Sequence, residues 1–368
     1  MHHGKSGVNK LLIKKFWKRR KVLIIGHTGF KGSWLIIFLN FLGSHVYGYS
    51  LKPEKHHIIF NKLKLKNFLK LNCYADINDT KKLKRFIKIT KPDIVINLSA
   101  QSLVRRSYSF PIETYKTNFF GAVNLLNIVR NFKNIKAVLM ITTDKVYFNK
   151  EKNYLYNEND KLGGHDPYSA SKAASEIAIE SFQKSFFNKR NKPYIATARA
   201  GNIIGGGDWS EDRLIPDLFK SYLKKKTLVI RSPNAIRPWQ HVLEVIYGYT
   251  LLIQMLCAKK SNFIGAWNFG PNKNNFIKVK SLVKKVLDSG LKVKIKVKVK
   301  NNDYHESKIL KLNNQKAVKF LNWKPVFSIK ETINLTCEWY NSMYNNHGRN
   351  LYSLSIKQIN FFFNKFNK

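Results

Sequence analysis

Tyr168 and Lys172 stand four residues apart, so on a helix both fall on one face. An ammonium held near a phenol favours the phenolate and lowers the tyrosine pKa towards neutrality. Such a tyrosine can take the proton of a sugar hydroxyl while hydride leaves the same carbon for a nicotinamide. Thr143 is suited to hydrogen-bond and position that hydroxyl. A tyrosine–lysine pair at this spacing also occurs on ordinary solvated helix faces, and it gains meaning here only in combination. Asp144 and Lys145 follow the threonine directly. A plain dehydrogenase or epimerase needs no further acid and base at this point, whereas a dehydratase needs both. Oxidising carbon 4 of a hexose acidifies the hydrogen on carbon 5. Removing that hydrogen and protonating the hydroxyl on carbon 6 expels water, after which hydride returns to carbon 6. Asp144 suits the acid. Lys145 suits the base only if burial or cationic neighbours depress its pKa; otherwise it is a structural or substrate-binding lysine.

These side chains need a scaffold, and its centre is the stretch 22–35, V-L-I-I-G-H-T-G-F-K-G-S-W-L. Residues 22–25 read as a buried strand, and 33–42 as an apolar helix. Between them Gly26, Gly29 and Gly32 recur every third residue. A strand, a glycine turn and a helix in that order make a dinucleotide cradle. In it Gly26 permits the tight turn, Gly29 lets the backbone approach a pyrophosphate, and Gly32 lets the helix pack close to the sheet. The second strand, 45–49, ends at Ser50, Leu51 and Lys52, where an acid for the ribose hydroxyls is expected. Lys52 could instead meet the extra phosphate of NADP, so this end leaves NAD and NADP both open.

Further strands are expected at 71–75, 94–98, 137–141 and 194–199, with helices at 78–90, 111–132 and 168–187. Asp76 and Ile77 follow the third strand and suit the adenine; Ser99, Ala100 and Gln101 form a small-residue turn beside the cofactor. Strand 137–141 delivers Thr142–Lys145 at its carboxyl end, where ligands of open α/β sheets bind. Beyond 200 the chain becomes loop-rich and polar. It then alternates a helix at 242–256, a strand at 266–269, a helix at 278–287, an alternating lysine/apolar edge strand at 291–299, and closing helices at 313–321 and 329–340. The expected fold class is α/β, a Rossmann-type doubly wound parallel sheet with a smaller C-terminal α/β substrate lobe. The expected division is a basic arm over 1–20 ending in a docking pair, Phe16-Trp17, the dinucleotide-binding domain with the tyrosine and lysine over 21–200, the substrate lobe mainly over 201–343, and a basic, phenylalanine-containing tail over 344–368 with no assigned role.

The 368-residue chain is long enough for a full core, and its 44% hydrophobic and 13% aromatic content are globular values. No apolar run reaches the roughly 18 residues of a membrane span. Cys73, Cys257 and Cys337 are scattered, which gives neither a metal site nor a disulfide framework and suits a reducing, cytoplasmic setting. The net charge of +44 raises the possibility of a nucleic-acid or anionic-membrane partner. The lysines, however, are spread through nearly every segment among Asn, Ile, Phe and Tyr, which favours compositional drift over a binding surface. Against that background arginine is informative. Only 12 of the 66 basic residues are arginine, and half of these, Arg105, Arg106, Arg199, Arg213, Arg231 and Arg237, lie in the motif-bearing segments. There a planar, bidentate fork suits an anion such as a pyrophosphate.

The chain resembles the extended short-chain dehydrogenase/reductase superfamily and, within it, the CDP-glucose 4,6-dehydratases. The resemblance runs over about 16–340. It rests on G-H-T-G-F-K-G-S-W at 26–34, A-Q-S-L-V-R-R-S-Y at 100–108, T-T-D-K at 142–145, G-G-H-D-P-Y-S-A-S-K at 163–172, R-A-G-N-I-I-G-G-G-D-W at 199–209 and R-P-W-Q-H-V at 237–242. The Asp-Lys pair is the separating feature, since related dehydratases usually carry Asp-Glu. The resemblance implies tightly bound NAD, conversion of CDP-glucose to CDP-4-dehydro-6-deoxy-glucose with no net redox change, and a place in making deoxysugars for surface polysaccharide. It also implies a homo-oligomer built from helices 111–132 and 168–187. The cofactor site it implies comprises Gly26, Thr28, Gly29, Phe30, Gly32, Ser50, Asp76, Ile77, Ser99, Ala100, Gln101 and Asn118, with Tyr168 and Lys172. For the nucleotide and sugar it implies Arg105, Asn202, Arg213, Arg231, Arg237 and His241. Arg213 has the alternative of a surface ion pair with Asp212 or Glu211, and His241 that of capping the helix from Val242. No metal is expected. A nucleotide-sugar epimerase or reductase and a fold-retaining basic nucleic-acid-binding module remain the competing readings.

Overall fold

The computed structural model describes residues 10–188, 192–297, 307–345 and 350–367. Among the described residues twelve strands run in chain order: β1 (Lys21–Ile25), β2 (His45–Ser50), β3 (Leu71–Tyr74), β4 (Ile94–Asn97), β5 (Ala137–Ile141), β6 (Tyr194–Ala200), β7 (Asn202–Ile204), β8 (Leu228–Ile230), β9 (Ile236–His241), β10 (Gly265–Phe269), β11 (Phe276–Lys278) and β12 (Ile295–Val297). Seven of them form one sheet in the order β10-β6-β5-β4-β1-β2-β3, every pair parallel. This is a Rossmann-type doubly wound sheet, extended at one edge by β10. Its central strands are buried on both faces, as a parallel sheet covered by helices requires. In β1, Val22 and Ile24 join one core, and Leu23 and Ile25 join the core on the other face, following the two-residue alternation of a strand.

The strand order reverses between β1 and β4, and the glycine turn lies at that crevice. Gly26 has φ of +83°, and a Cβ there would sit 2.7 Å from the Ser99 nitrogen, at the end of the neighbouring strand. A Cβ on Gly32 would lie 2.4 Å from the Gly26 carbonyl, so helix Phe30–Phe41 approaches the sheet only because no side chain intervenes. Trp34 on this helix donates to the Gly206 carbonyl at 2.9 Å, which ties the turn to the second half of the chain.

Two small sheets, β11-β9-β7 and β12-β8, lie outside the seven-stranded sheet. The edge strand expected over 291–299 is shorter, Ile295–Val297; its last two expected positions lie outside the described residues. Helix 111–132 is interrupted: Pro111–Tyr115 and Gly121–Val129 are joined by a π-helical turn, Lys116–Phe120. Such turns recur at functional sites, and this one carries Asn118.

Both ends of the chain differ from the arm and tail expected of them. Lys10–Trp17 is a helix whose Trp17 is fully buried; residues 1–9 lie outside the described ones. The expected tail contains helix Leu351–Phe366. Its Ile359, Phe362, Phe363 and Phe366 are buried at the three- and four-residue spacing of one helical face, with Phe363 stacked on Phe38 at 5.7 Å.

Candidate active site

The carboxyl ends of β1, β4, β5 and β6 open onto a cavity of about 750 Å³, a size suited to small-molecule ligands. On its floor is the glycine turn. Gly29 would meet only the Gly26 carbonyl with a Cβ, at 3.6 Å, and it begins helix Phe30–Phe41 without a side-chain cap. The first-turn N–H groups are therefore open to an anion. A dinucleotide pyrophosphate fits this cradle.

On the opposite wall is helix Pro167–Phe182. Asp166 starts it by accepting from the Ser169 amide at 2.9 Å and the Ser169 hydroxyl at 2.6 Å, and Pro167 occupies a first-turn position that needs no N–H. The helix brings Tyr168 and Lys172 to the cavity, both buried. Opposite them, Thr143 caps the short turn Asp144–Val146. Its hydroxyl donates to Asp144 Oδ1 at 3.0 Å and is also in hydrogen-bond contact with Tyr168. Asp144 is buried, and its Oδ2 has no partner. Lys145 Nζ stands 3.7 Å from Asp144 Oδ1 with its side chain 26% exposed. All five side chains line the one cavity.

The electrostatics depart from expectation at Tyr168. Burial pushes its pKa up to about 12, against a hydrogen bond with Thr143 and the Arg213 charge. The lowering expected from Lys172 is absent, because the Lys172 ammonium donates to the Ile141 carbonyl at 3.2 Å instead. Burial lowers Lys172 itself to about 8, opposed by the Glu176 charge.

Sequence reasoning missed Lys31, inside the glycine turn. It lines the cavity, and burial, followed by the charges of Arg213 and Lys172, lowers it to about 7. Its position in the quoted stretch was visible; the abundance of lysine elsewhere hid it. Asp208 was missed as well. Buried, it holds Arg213 at 3.2 Å, while Arg213 also donates to Ser102 at 3.1 Å. The alternative pairing of Arg213 with Asp212 or Glu211 is thus not the one formed. Asp212 instead bridges Arg105, at 3.7 Å, and Arg231, at 2.8 Å. Arg237 and Asn202 also line the cavity, the latter with a buried, unpartnered Oδ1.

Gly26, Gly29, Phe30, Gly32, Ala100 and Gln101 line the cavity too. Thr28, Ser50, Asp76, Ile77, Ser99, Asn118 and His241 do not. Thr28 and Ser50 hydrogen-bond each other at 2.8 Å. Asp76 is exposed and accepts from the Asn78 amide at 2.7 Å, while Ile77 is buried against Gly121. Ser99 is turned to Asn97, its hydroxyl donating at 2.6 Å. Asn118 acts through its neighbours: it accepts from the Gln101 amide at 2.9 Å and donates to the Gln101 carbonyl at 3.0 Å and to Ser171 at 2.9 Å. His241, expected at the substrate, is fully buried. Its Nδ1 accepts from the Leu243 amide at 3.3 Å, so the histidine caps helix Val242–Cys257.

A parallel sheet with a glycine turn at its switch point, and Thr143, Tyr168 and Lys172 lining the same cavity, is the arrangement of a dinucleotide-binding short-chain dehydrogenase/reductase. Over residues 23–336 the chain matches the family described as GDP-mannose 4,6 dehydratase, and it belongs to that family. It is 41% identical over 334 residues to a CDP-glucose 4,6-dehydratase of Salmonella typhimurium, covering 90% of this chain and 93% of that protein. To a dTDP-glucose 4,6-dehydratase of the same organism it is 25% identical, covering 87% and 92%. Among solved structures, dTDP-glucose 4,6-dehydratase from Bacillus anthracis in complex with NAD superposes with a TM-score of 0.73 at 20% identity, covering 89% of this chain and 98% of that one. UDP-glucose 4-epimerase from Thermus thermophilus in complex with NAD gives 0.74 at 19% identity, with 87% and 98% covered.

Proposed function

We propose that this protein is a CDP-glucose 4,6-dehydratase that converts CDP-D-glucose to CDP-4-dehydro-6-deoxy-D-glucose and water. The observation that carries the reading is the 41% identity, over nearly the whole chain, to a protein of that name. The Asp144-Lys145 pair beside Tyr168 supports it, because an epimerase has no use for a further acid and base there.

The cofactor in this reading is NAD, held by the backbone of the glycine turn, by Ala100 and Gln101, and by Tyr168 and Lys172. Hydride storage is the chemistry it supplies when bound. Tyr168 takes the proton of the carbon 4 hydroxyl while Thr143 orients that hydroxyl. The Arg213 charge and the Thr143 hydrogen bond favour the phenolate against burial, while Lys172, on the same helix face, is bound to the Ile141 carbonyl. Asp144 presents its free Oδ2 to the carbon 6 hydroxyl and protonates it as it leaves as water. A neutral Lys145 receives the carbon 5 proton and returns it to carbon 5 when carbon 6 is reduced; as an ammonium it serves instead to bind the substrate. Arg213, Arg231, Arg237 and Arg105 surround the diphosphate and nucleotide, where guanidinium forks suit phosphate oxygens.

The working unit in this reading is a homo-oligomer and its setting the cytoplasm. Ile112 is 73% exposed, Phe120 53% and Ile177 59%, on the helices expected to meet a second copy. The cysteines are free, and among the described residues no helix is long and apolar enough to cross a membrane. Incubation of the purified protein with CDP-, dTDP-, UDP- and GDP-glucose, read by mass spectrometry, tests the assignment. Loss of one water from the CDP sugar in preference to the others, with no NADH added, is expected; preference for another nucleotide overturns the substrate.

A further inference from the structure

Glu176 lies one helical turn beyond Lys172 and two beyond Tyr168, buried together with Arg199 of β6. Its carboxylate is fully subscribed. Oε1 accepts from the Thr142 hydroxyl at 2.6 Å and from Arg199 Nε at 2.9 Å. Oε2 accepts from the Thr197 hydroxyl at 2.7 Å and from a terminal nitrogen of Arg199 at 3.2 Å. Arg199 continues to the Tyr147 hydroxyl at 2.9 Å, and Tyr147 donates to Asn268 of β10 at 2.7 Å. A single buried carboxylate thus fastens the helix that carries Tyr168 and Lys172 to β5, β6 and β10. Thr142 directly precedes Thr143, and Lys172 is bound to the carbonyl of Ile141, so the end of β5 and the helix are tied at two adjacent points.

We propose that Glu176 is a positioning residue for the reaction described above, which sets Thr143 against Tyr168 through Thr142 and places a buried negative charge one helical turn from Lys172. The second part rests on the charges around Lys172. Glu176 is on its own helix, with Arg199 behind it on β6. Lys31 approaches from the glycine turn and repels it. Of these, Glu176 is the one that favours its ammonium form against burial. Burial by itself pushes the Glu176 carboxyl up, but the Arg199 guanidinium and the Thr142 and Thr197 hydroxyls outweigh it and hold the carboxyl below its usual range. It is therefore ionised wherever Lys172 titrates.

The inference rests on the proposed activity only for its catalytic part, so its test has a readout that needs no turnover. Lys172 in the full protein is acetylated in brief pulses across pH 6 to 10 (the design range), and its labelling is followed by peptide mass spectrometry in the wild type and in Glu176→Gln. The midpoint of Lys172 reactivity is expected about one pH unit lower in the variant, a tenfold loss of proton affinity. The alkaline limb of turnover should shift with it. Loss of one partner from a buried ion pair can prevent folding, so Glu176→Gln/Arg199→Met, which removes both charges, is measured alongside and is expected to show a smaller downward shift, because the opposing Arg199 charge is removed too. A midpoint that stays in place in the folded variants, with kcat lowered equally at every pH, overturns the proposal and leaves the pair a purely structural one. A wild type that labels as expected but does not act on CDP-glucose overturns the proposed activity instead.

Discussion

The Thr143 hydroxyl donates to one Asp144 oxygen at 3.0 Å, and the other Asp144 oxygen is buried without a partner. A buried acceptor left open is costly unless a ligand satisfies it. In the proposed reaction it meets the departing hydroxyl. Asp144→Asn keeps the shape and removes the proton donor. It should retain oxidation at carbon 4, seen as reduced-nicotinamide absorbance on adding substrate, while water loss falls by about 10²–10³-fold, within the usual range for a general acid. Full water loss in this variant would remove Asp144 from that role.

Burial pushes the Tyr168 pKa up to about 12. Tyr168→Phe loses the hydroxyl but little packing. Bound NAD should persist in the purified variant, measured after denaturation, while turnover drops by at least about 10²-fold.

Lys31 lines the cavity and is lowered to about 7, so nucleotide binding should depend on pH. Below about 7 it carries an ammonium that an anion stabilises; as pH rises through that value the charge is lost and affinity weakens. CDP affinity measured by calorimetry should fall from pH 6.5 to 8.5 (the assay range) more steeply in the wild type than in Lys31→Met. Equal slopes would separate Lys31 from the anion.

His241 and His27 are both buried, and burial lowers them to about 3 and about 4. In the unfolded chain each takes a proton near the ordinary histidine value of about 6.5. The unfolded state therefore binds more protons between the two values, and stability is lost as pH falls below about 6.5, by at most about 1.4 kcal/mol per pH unit for each histidine. Urea midpoints between pH 7 and 5 should fall in the wild type and fall less in His241→Asn, whose amide can keep the helix cap.

Phe363 is buried and stacks on Phe38 and Phe41. Phe363→Ala should cost about 3–5 kcal/mol, the usual loss for a core phenylalanine, read from urea unfolding. A loss below about 1 kcal/mol would mean that the C-terminal helix contributes little to the fold.

The central sheet was legible because β1, β4 and β5 are short apolar runs framed by turns, and because the glycines at 26, 29 and 32 declare the switch point. That Thr143, Tyr168 and Lys172 share one cavity was legible for a related reason: they are local motifs on elements whose type is plain. What was not legible depends on distant packing. Nothing local says that His241 faces Trp34 and Phe327 instead of the cavity. Nor does anything local say that Lys172 turns to a strand carbonyl, or that Asp212 gathers Arg105 and Arg231. The C-terminal helix is a different case. Ile359, Phe362, Phe363 and Phe366 spell an apolar face, but intervening asparagines and lysines made the segment read as tail.

The central claim, an internal hydride transfer coupled to loss of water, is tested most directly with CDP-glucose deuterated at carbon 4. The holoenzyme with no added reductant should yield a product lighter by one water, with the deuterium on carbon 6 by NMR. A product that has lost the label to solvent, or that keeps its full mass, would contradict it.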